Sequence, residues 1–197
     1  MGCGTGELTA EIADAGANVV GIDNAAEMID AARERHPEPV FRVVDATDFE
    51  AQEPFDAVFS NAAFHWIDDQ DTLLSTIADA LVPSGRLVAE FGGRGNVAAI
   101  NGALRAALRD RGYAAELPWY FASIGEYAPR LEAHGFEVRL ARLFDRPTEL
   151  DGGEDGLRQL YAMFCDDLLG HLDDETRAAV ISDAEDTLRE DYFDGET

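Results

Sequence analysis

Apolar and polar positions along the first ninety residues switch between a helical and a strand period. Glu7 to Ala15 sets Leu8 and Ile12 on one face with Gly16 as a stop, which predicts a helix. Val19-Val20-Gly21-Ile22 predicts a short buried strand ending at Asp23. Ala25 to Arg35 predicts a second helix, with Met28, Ile29 and Ala32 facing inward and Pro37 ending it. Val40 to Val44 and Phe55 to Phe59 predict strands, and Asp71 to Leu81 a helix. Pro83-Ser84-Gly85 then turns the chain into a strand from Arg86 to Phe91. Strands separated by helices of this length imply parallel β–α–β units, hence an α/β fold: an open, mostly parallel sheet with helices on both faces.

Past Gly92-Gly93-Arg94-Gly95 the pattern turns mainly helical. Asn96 is placed to cap a helix running to Arg111, and Leu117 to Phe121 form an aromatic loop. Ser123 and Glu126 have the spacing of a capping box for a helix ending at Gly135. Phe136 to Phe144 predicts a strand, and two helices are expected over 157–193. These readings divide the chain into a domain over 1–146 and a helical extension over 147–197 that can serve as a lid.

Composition narrows the setting. Forty acidic residues face 15 basic ones, a net charge of −25, and every basic residue is Arg. The acids are scattered rather than massed in a tail. Such a surface fits a salt-loving microbe, where salt screens its self-repulsion; a GC-rich genome also favours Arg, Ala and Asp. Either source argues against nucleic acid or an anionic membrane as partner, because phosphates are gripped by Lys and Arg. The two cysteines and four histidines show no metal-ligand spacing. No apolar run is long enough to span a bilayer and no leader precedes the first glycines, so a cytoplasmic protein is expected.

Gly2-x-Gly4-x-Gly6 stands immediately before the first helix. Glycines let main chain approach a ligand, and the helix start offers free N–H groups to a carboxylate or phosphate. Asp23, 17 residues beyond Gly6 at a strand end, can accept both hydroxyls of a ribose. These residues together indicate an adenosine-containing cofactor. A dinucleotide fingerprint requires its third glycine at position 7, where this chain has Glu7, a carboxylate that would repel a pyrophosphate. An NAD-dependent oxidoreductase is therefore the weaker alternative.

Gly2-Cys3-Gly4-Thr5-Gly6 resembles the first motif of class I S-adenosylmethionine (SAM)-dependent methyltransferases, and Val20-Gly21-Ile22-Asp23 followed by Met28 resembles their second. Asp45-Ala46 is similar to the pair that contacts the adenine in that family. Phe55 to Trp66, ending Ser60-Asn61-Ala62-Ala63-Phe64-His65-Trp66, is similar to the fourth-strand motif of the trans-aconitate methyltransferase-like branch. Leu81 to Leu87 matches the turn before the fifth strand, so the resemblance covers residues 1 to about 92. It implies a Rossmann-like fold with SAM held by Gly2, Cys3, Gly4, Thr5, Gly6, Asp23, Asn24, Met28, Asp45, Ala46, Asn61 and Ala62. The family sets a strand before the glycine loop, and here only Met1 precedes Gly2. The first strand is thus expected to be missing from this chain, as is a closing strand at the other end. A misassigned start, a fragment and a degenerate protein all account for that.

The implied reaction is an in-line displacement on a sulfonium methyl, which needs alignment and exclusion of water. The acceptor is expected to be a small molecule, with O-methylation of a carboxylic acid as the finer expectation. A carboxylic acid needs no base; an amine or hydroxyl may require one. Residues after the fourth-strand motif belong at the carboxyl ends of the strands, where open α/β sheets bind ligands. His65 is the candidate base, or else orients the acceptor or packs against the cofactor. Trp66, Arg94, Trp119 and Tyr120 are candidate acceptor contacts, with Arg94 suited to a carboxylate. A protein that binds SAM with little or no activity is the alternative. The acceptor and the oligomeric state are left open.

Overall fold

The computed structural model describes residues 1–150 and 153–192. In chain order the elements are α1 (Glu7–Asp14), β1 (Val20–Asp23), α2 (Ala26–Arg35), β2 (Val40–Val43), β3 (Phe55–Asn61), α3 (Gln70–Ala80), β4 (Leu81–Glu90), α4 (Ala98–Asp110), α5 (Ile124–Ala133), α6 (Gly156–Phe164), α7 (Asp166–Leu169) and α8 (Asp174–Tyr192). The chain divides into two compact units. One comprises Met1–Arg94 and Trp119–Leu143; the other comprises Gly95–Pro118 and the residues from Phe144 on.

In the first unit β1 pairs with β2 and β3 with β4, both in parallel. The connections β1–α2–β2 and β3–α3–β4 are helical, as parallel neighbours require. Between β3 and β4 the register slips. Phe55 faces Leu81, yet Ala57 faces Arg86, so the expected Pro83-Ser84-Gly85 turn is looped out inside β4. Ser84 takes a φ of 70° there. Among the described residues no strand lies between β1 and β3; Met1 to Cys3 bridge them instead. The Cys3 N–H donates to the Ile22 carbonyl at 3.0 Å. The Met1 ammonium donates to the Phe59 carbonyl at 2.8 Å, and the Ser60 hydroxyl to the Met1 carbonyl at 3.1 Å.

Helices cover the strands from both sides. Ile29 and Ala32 of α2 pack with Phe41 of β2. Leu73, Leu74 and Ile77 of α3 and Tyr127 of α5 pack with Val58 of β3 and with Phe64. Gln70, at the start of α3, is buried within this second layer. Its side-chain nitrogen donates to the carbonyls of Phe64 at 2.8 Å and Ile67 at 2.5 Å. Its oxygen accepts the Tyr127 hydroxyl at 2.8 Å. The turn that carries His65 and Trp66 is thus tied into the core from below.

In the second unit α4 packs against α8, and Leu104, Leu108, Val180 and Ala184 are buried. Arg158 makes a two-pronged pair with Glu185, both bonds 2.7 Å, and the Tyr161 hydroxyl donates to the Ile100 carbonyl at 2.9 Å.

Several elements differ from the sequence-based expectation. Met28 is 41% exposed rather than facing inward, and the buried position on α1 is Thr9, not Leu8. Val97, not Asn96, stands at the start of α4, with φ of 44°. Phe136 to Phe144 forms no strand although its alternation is present, and Leu140 is 87% exposed. Three helices rather than two follow Gly156, because the chain breaks at Cys165 and again after Leu169. The end of the second expected helix, at 193, lies outside the described residues.

Tyr127→Phe would leave the buried Gln70 oxygen without a donor. We expect a loss of roughly 1–3 kcal/mol, read from urea unfolding midpoints; an unchanged midpoint would refute the role of this bond.

Candidate active site

The glycine loop owes its shape to its neighbours. Gly2, Gly4 and Gly6 all have positive φ, at 63°, 51° and 90°. A Cβ on Gly6 would lie 2.8 Å from the Phe41 ring, and one on Gly2 would strike Ala63. Gly4 differs, since nothing lies within 4 Å of the position its Cβ would take. Its conformation demands glycine, and its face stays open.

Asp23 binds this loop to the strand end. One carboxylate oxygen accepts the Gly4 N–H at 2.8 Å; the other accepts the Ala25 N–H, just before α2, at 3.0 Å. Each oxygen has a further lone pair, so two hydroxyls can still be received. Gly6 caps α1 and has no side chain to bond the first-turn amides, while the Glu7 carboxylate takes a backbone bond at that helix start. Glu7 accepts from the Thr5 hydroxyl at 2.6 Å and from Arg35 at 2.8 Å. The Thr5 bond first, then the backbone and Arg35, hold its carboxyl below the ordinary range and keep it ionised. Cys3 lies half-buried on the same loop. Burial, reinforced by Asp23, pushes its thiol up to about 11, so it is no nucleophile at neutral pH.

Asp45 follows β2. Its carboxylate accepts the Thr47 hydroxyl at 2.7 Å and the Thr47 N–H at 2.9 Å, with Asn24 a further donor, and these bonds hold it below the ordinary range. Asn24 and Asp45 are therefore brought together. Ala46 packs partly against the core instead. Asn61 ends β3 opposite Glu90, and Ala62 turns with φ of 55° while its N–H donates to the Glu90 carbonyl at 2.8 Å. Through Gly2 and Ala63 the post-β3 segment meets the glycine loop directly.

His65 is buried, and its Nδ1 accepts the Gly92 N–H at 3.2 Å. The ring proton of the neutral form is then on Nε2, which donates. Burial lowers its pKa, so the ring stays neutral. This geometry suits an orienting donor better than a general base. Around it stand Trp66 and Phe121, each 5.5 Å from the imidazole between ring centroids. Trp119 meets Trp66 edge-on at 5.6 Å and stacks on Phe121 at 5.8 Å. Tyr120 is turned the other way, packing at 6.4 Å from Tyr127 and beneath Arg130. Successive side chains of an extended segment point to opposite sides, which separates Tyr120 from Trp119 and adds Phe121, a residue absent from the sequence-based candidates. Arg94 is exposed and pairs with Glu126 at 2.5 Å. The Glu126 carboxyl, bonded by Ser123 backbone and side chain and then by Arg94, is held at about 2.

This arrangement of parallel strands, glycine loop and strand-end acid is the fold of class I SAM-dependent methyltransferases. Residues 1–89 match the family described as methyltransferase domain. A methyltransferase of Schizosaccharomyces pombe, itself uncharacterized, is 37% identical over 164 residues, 77% of this chain and 63% of that protein. The trans-aconitate 2-methyltransferase of Methylobacterium radiotolerans is 34% identical over 93 residues, 46% of this chain and 36% of the relative. The chain thus spans less than two thirds of the length of these relatives. Among solved structures, an S-adenosylmethionine-dependent methyltransferase from Mesorhizobium loti superposes with a TM-score of 0.56 at 21% identity, covering 71% of this chain and 73% of that one.

Two variants of the loop separate ligand effects from folding effects. Gly4→Ala is expected to weaken cofactor binding with a stability loss of about 1 kcal/mol. Gly6→Ala should destabilise more, since a ring must also move; equal stability losses would contradict the open face at Gly4. For His65 the folded pKa lies below the unfolded value of about 6.5. The unfolded chain takes up a proton that the folded one does not, so this contribution is complete above about pH 6.5 and is lost as pH falls through the lowered value. His65→Gln should flatten that part of the stability profile between about pH 7.5 and 5, read by urea unfolding.

Proposed function

We propose that the protein binds S-adenosylmethionine at the Gly2–Gly6 loop and transfers its methyl group to a small-molecule acceptor. The observation that carries this is the open, left-handed Gly4 beside the Asp23 carboxylate, a cradle of main chain next to a ribose-sized acceptor of hydrogen bonds. The residues present fit the cofactor. Gly2 to Gly6 and the start of α1 would hold its amino-acid end, Asp23 its ribose, and Asp45 with Ala46 its adenine. Bound there, the cofactor supplies an electrophilic methyl on a good leaving group. The chain's own part is alignment: Asn61 and Ala62 bound the cleft, His65 orients the acceptor through Nε2–H, and the aromatic side chains exclude water. The dinucleotide alternative loses its support, because Glu7 is ionised where a pyrophosphate would lie.

A carboxylic acid acceptor is a second reading, favoured by the likeness to trans-aconitate 2-methyltransferases. It would require Arg94 to leave Glu126. Among the described residues no helix is long and apolar enough to cross a membrane, in keeping with a small-molecule acceptor taken from water.

Asp23→Ala is expected to weaken SAM binding about ten-fold or more, on the order of 1.5–3 kcal/mol, measured by calorimetry. Unchanged affinity would remove Asp23 from the site. Formation of S-adenosylhomocysteine across a panel of acceptors tests transfer itself; binding without turnover of any of them would favour the inactive SAM-binding alternative.

A further inference from the structure

Resting on that reading, we propose that Gln70 is a positioning residue of the transfer site: its side-chain amide fixes the turn on both sides of His65, so that the imidazole presents Nε2–H to the acceptor. Gln70 is 1% exposed. Its nitrogen donates to the carbonyls of Phe64 at 2.8 Å and Ile67 at 2.5 Å, which bracket His65 and Trp66 in the chain. Its oxygen accepts the Tyr127 hydroxyl, from α5, at 2.8 Å. An amide has two N–H donors and one carbonyl oxygen, so a single side chain meets all three partners. The reversed amide, or a carboxylate, would set oxygen against two carbonyls. The network therefore selects both the residue type and its orientation.

The amide steadies a buried ring with one free nitrogen. His65 is 9% exposed. Its Nδ1 accepts the Gly92 N–H at 3.2 Å, and its carbonyl accepts the Tyr120 N–H at 2.9 Å. Among the described residues no group pairs with Nε2, and that atom is not sealed from solvent. Gly92 and Tyr120 act through main chain, which any residue supplies; Gln70 is the anchor that depends on a particular side chain. It makes no hydrogen bond to the Gly2–Gly6 loop or to Asp23. Its loss should misplace the acceptor and spare the cofactor, and a small misplacement of a reacting partner slows transfer steeply.

Gln70→Met keeps the side-chain volume and removes all three bonds. In the full chain carrying isotope-labelled histidine, the His65 ring is identified by the signals that His65→Gln loses, and its tautomer is read by NMR at neutral pH. We expect a single Nε2–H tautomer in the unaltered chain and a mixture in Gln70→Met, with affinity for S-adenosylmethionine changed by no more than about twofold in calorimetry. Tyr127→Phe also loses stability but keeps both donations from Gln70, so it should retain the single tautomer. With an acceptor found in the panel above, Gln70→Met should lower kcat about tenfold or more while leaving KM for S-adenosylmethionine in place. A folded Gln70→Met that keeps one tautomer, or an unchanged kcat, would overturn the proposal. So would a mixture of tautomers in the unaltered chain, a result that needs no variant to fold. Absence of S-adenosylmethionine binding to the unaltered chain would instead refute the activity proposed above, so the two failures are told apart.

Discussion

The site depends on one clasp, the carboxylate of Asp23 holding main-chain N–H groups from both sides. Gly4 comes from the loop before α1 and Ala25 from the turn before α2. These two turns are separate in sequence, and the end of β1 is the place where both come within reach of one short side chain. A charged acceptor strengthens both bonds. It also fixes the loop with its open face toward the space an adenosine would fill. Were the clasp absent, three glycines with positive φ would have little to hold them in one conformation, since each loses more freedom on ordering than any other residue.

From that clasp the rest of the cleft follows by packing. Phe41 fills the space under Gly6 and Gly21, which is why neither carries a side chain. Gly2 abuts Ala63, so the loop and the segment after β3 are set against each other. Gln70 and Tyr127 hold that segment from the core side by three hydrogen bonds, two of them buried. His65 and Trp66 therefore stand on a turn that is fixed at its base, and the Gly92 N–H selects which ring nitrogen carries the proton.

Electrostatics set the surroundings of the cleft. Arg94, the cation that the sequence offered to an anionic acceptor, is paired with Glu126 once the chain folds, whereas the aromatic rings are grouped and Trp66 is partly exposed. A surface carrying 40 acids and no Lys sets the long-range field in the same sense. A methionyl sulfonium, itself positive, would suit such a field, and Asp23 and Asp45 would serve it as hydrogen-bond acceptors.

The sequence by itself determined the parts governed by local chemistry. Three glycines before a helix, an acid at a strand end, a capping box at Ser123 and alternating β–α periodicity were all legible, because each is a property of a few adjacent residues. Tertiary structure alone decided which candidates meet. Trp119 and Phe121 share a side while Tyr120 enters the core, because an extended segment alternates and one side happens to face Tyr127. Arg94 found Glu126, a residue whose capping role was readable but whose second partner was not. The strand expected over 136–144 had the right pattern but joins no sheet among the described residues, for a strand is completed only by its neighbour.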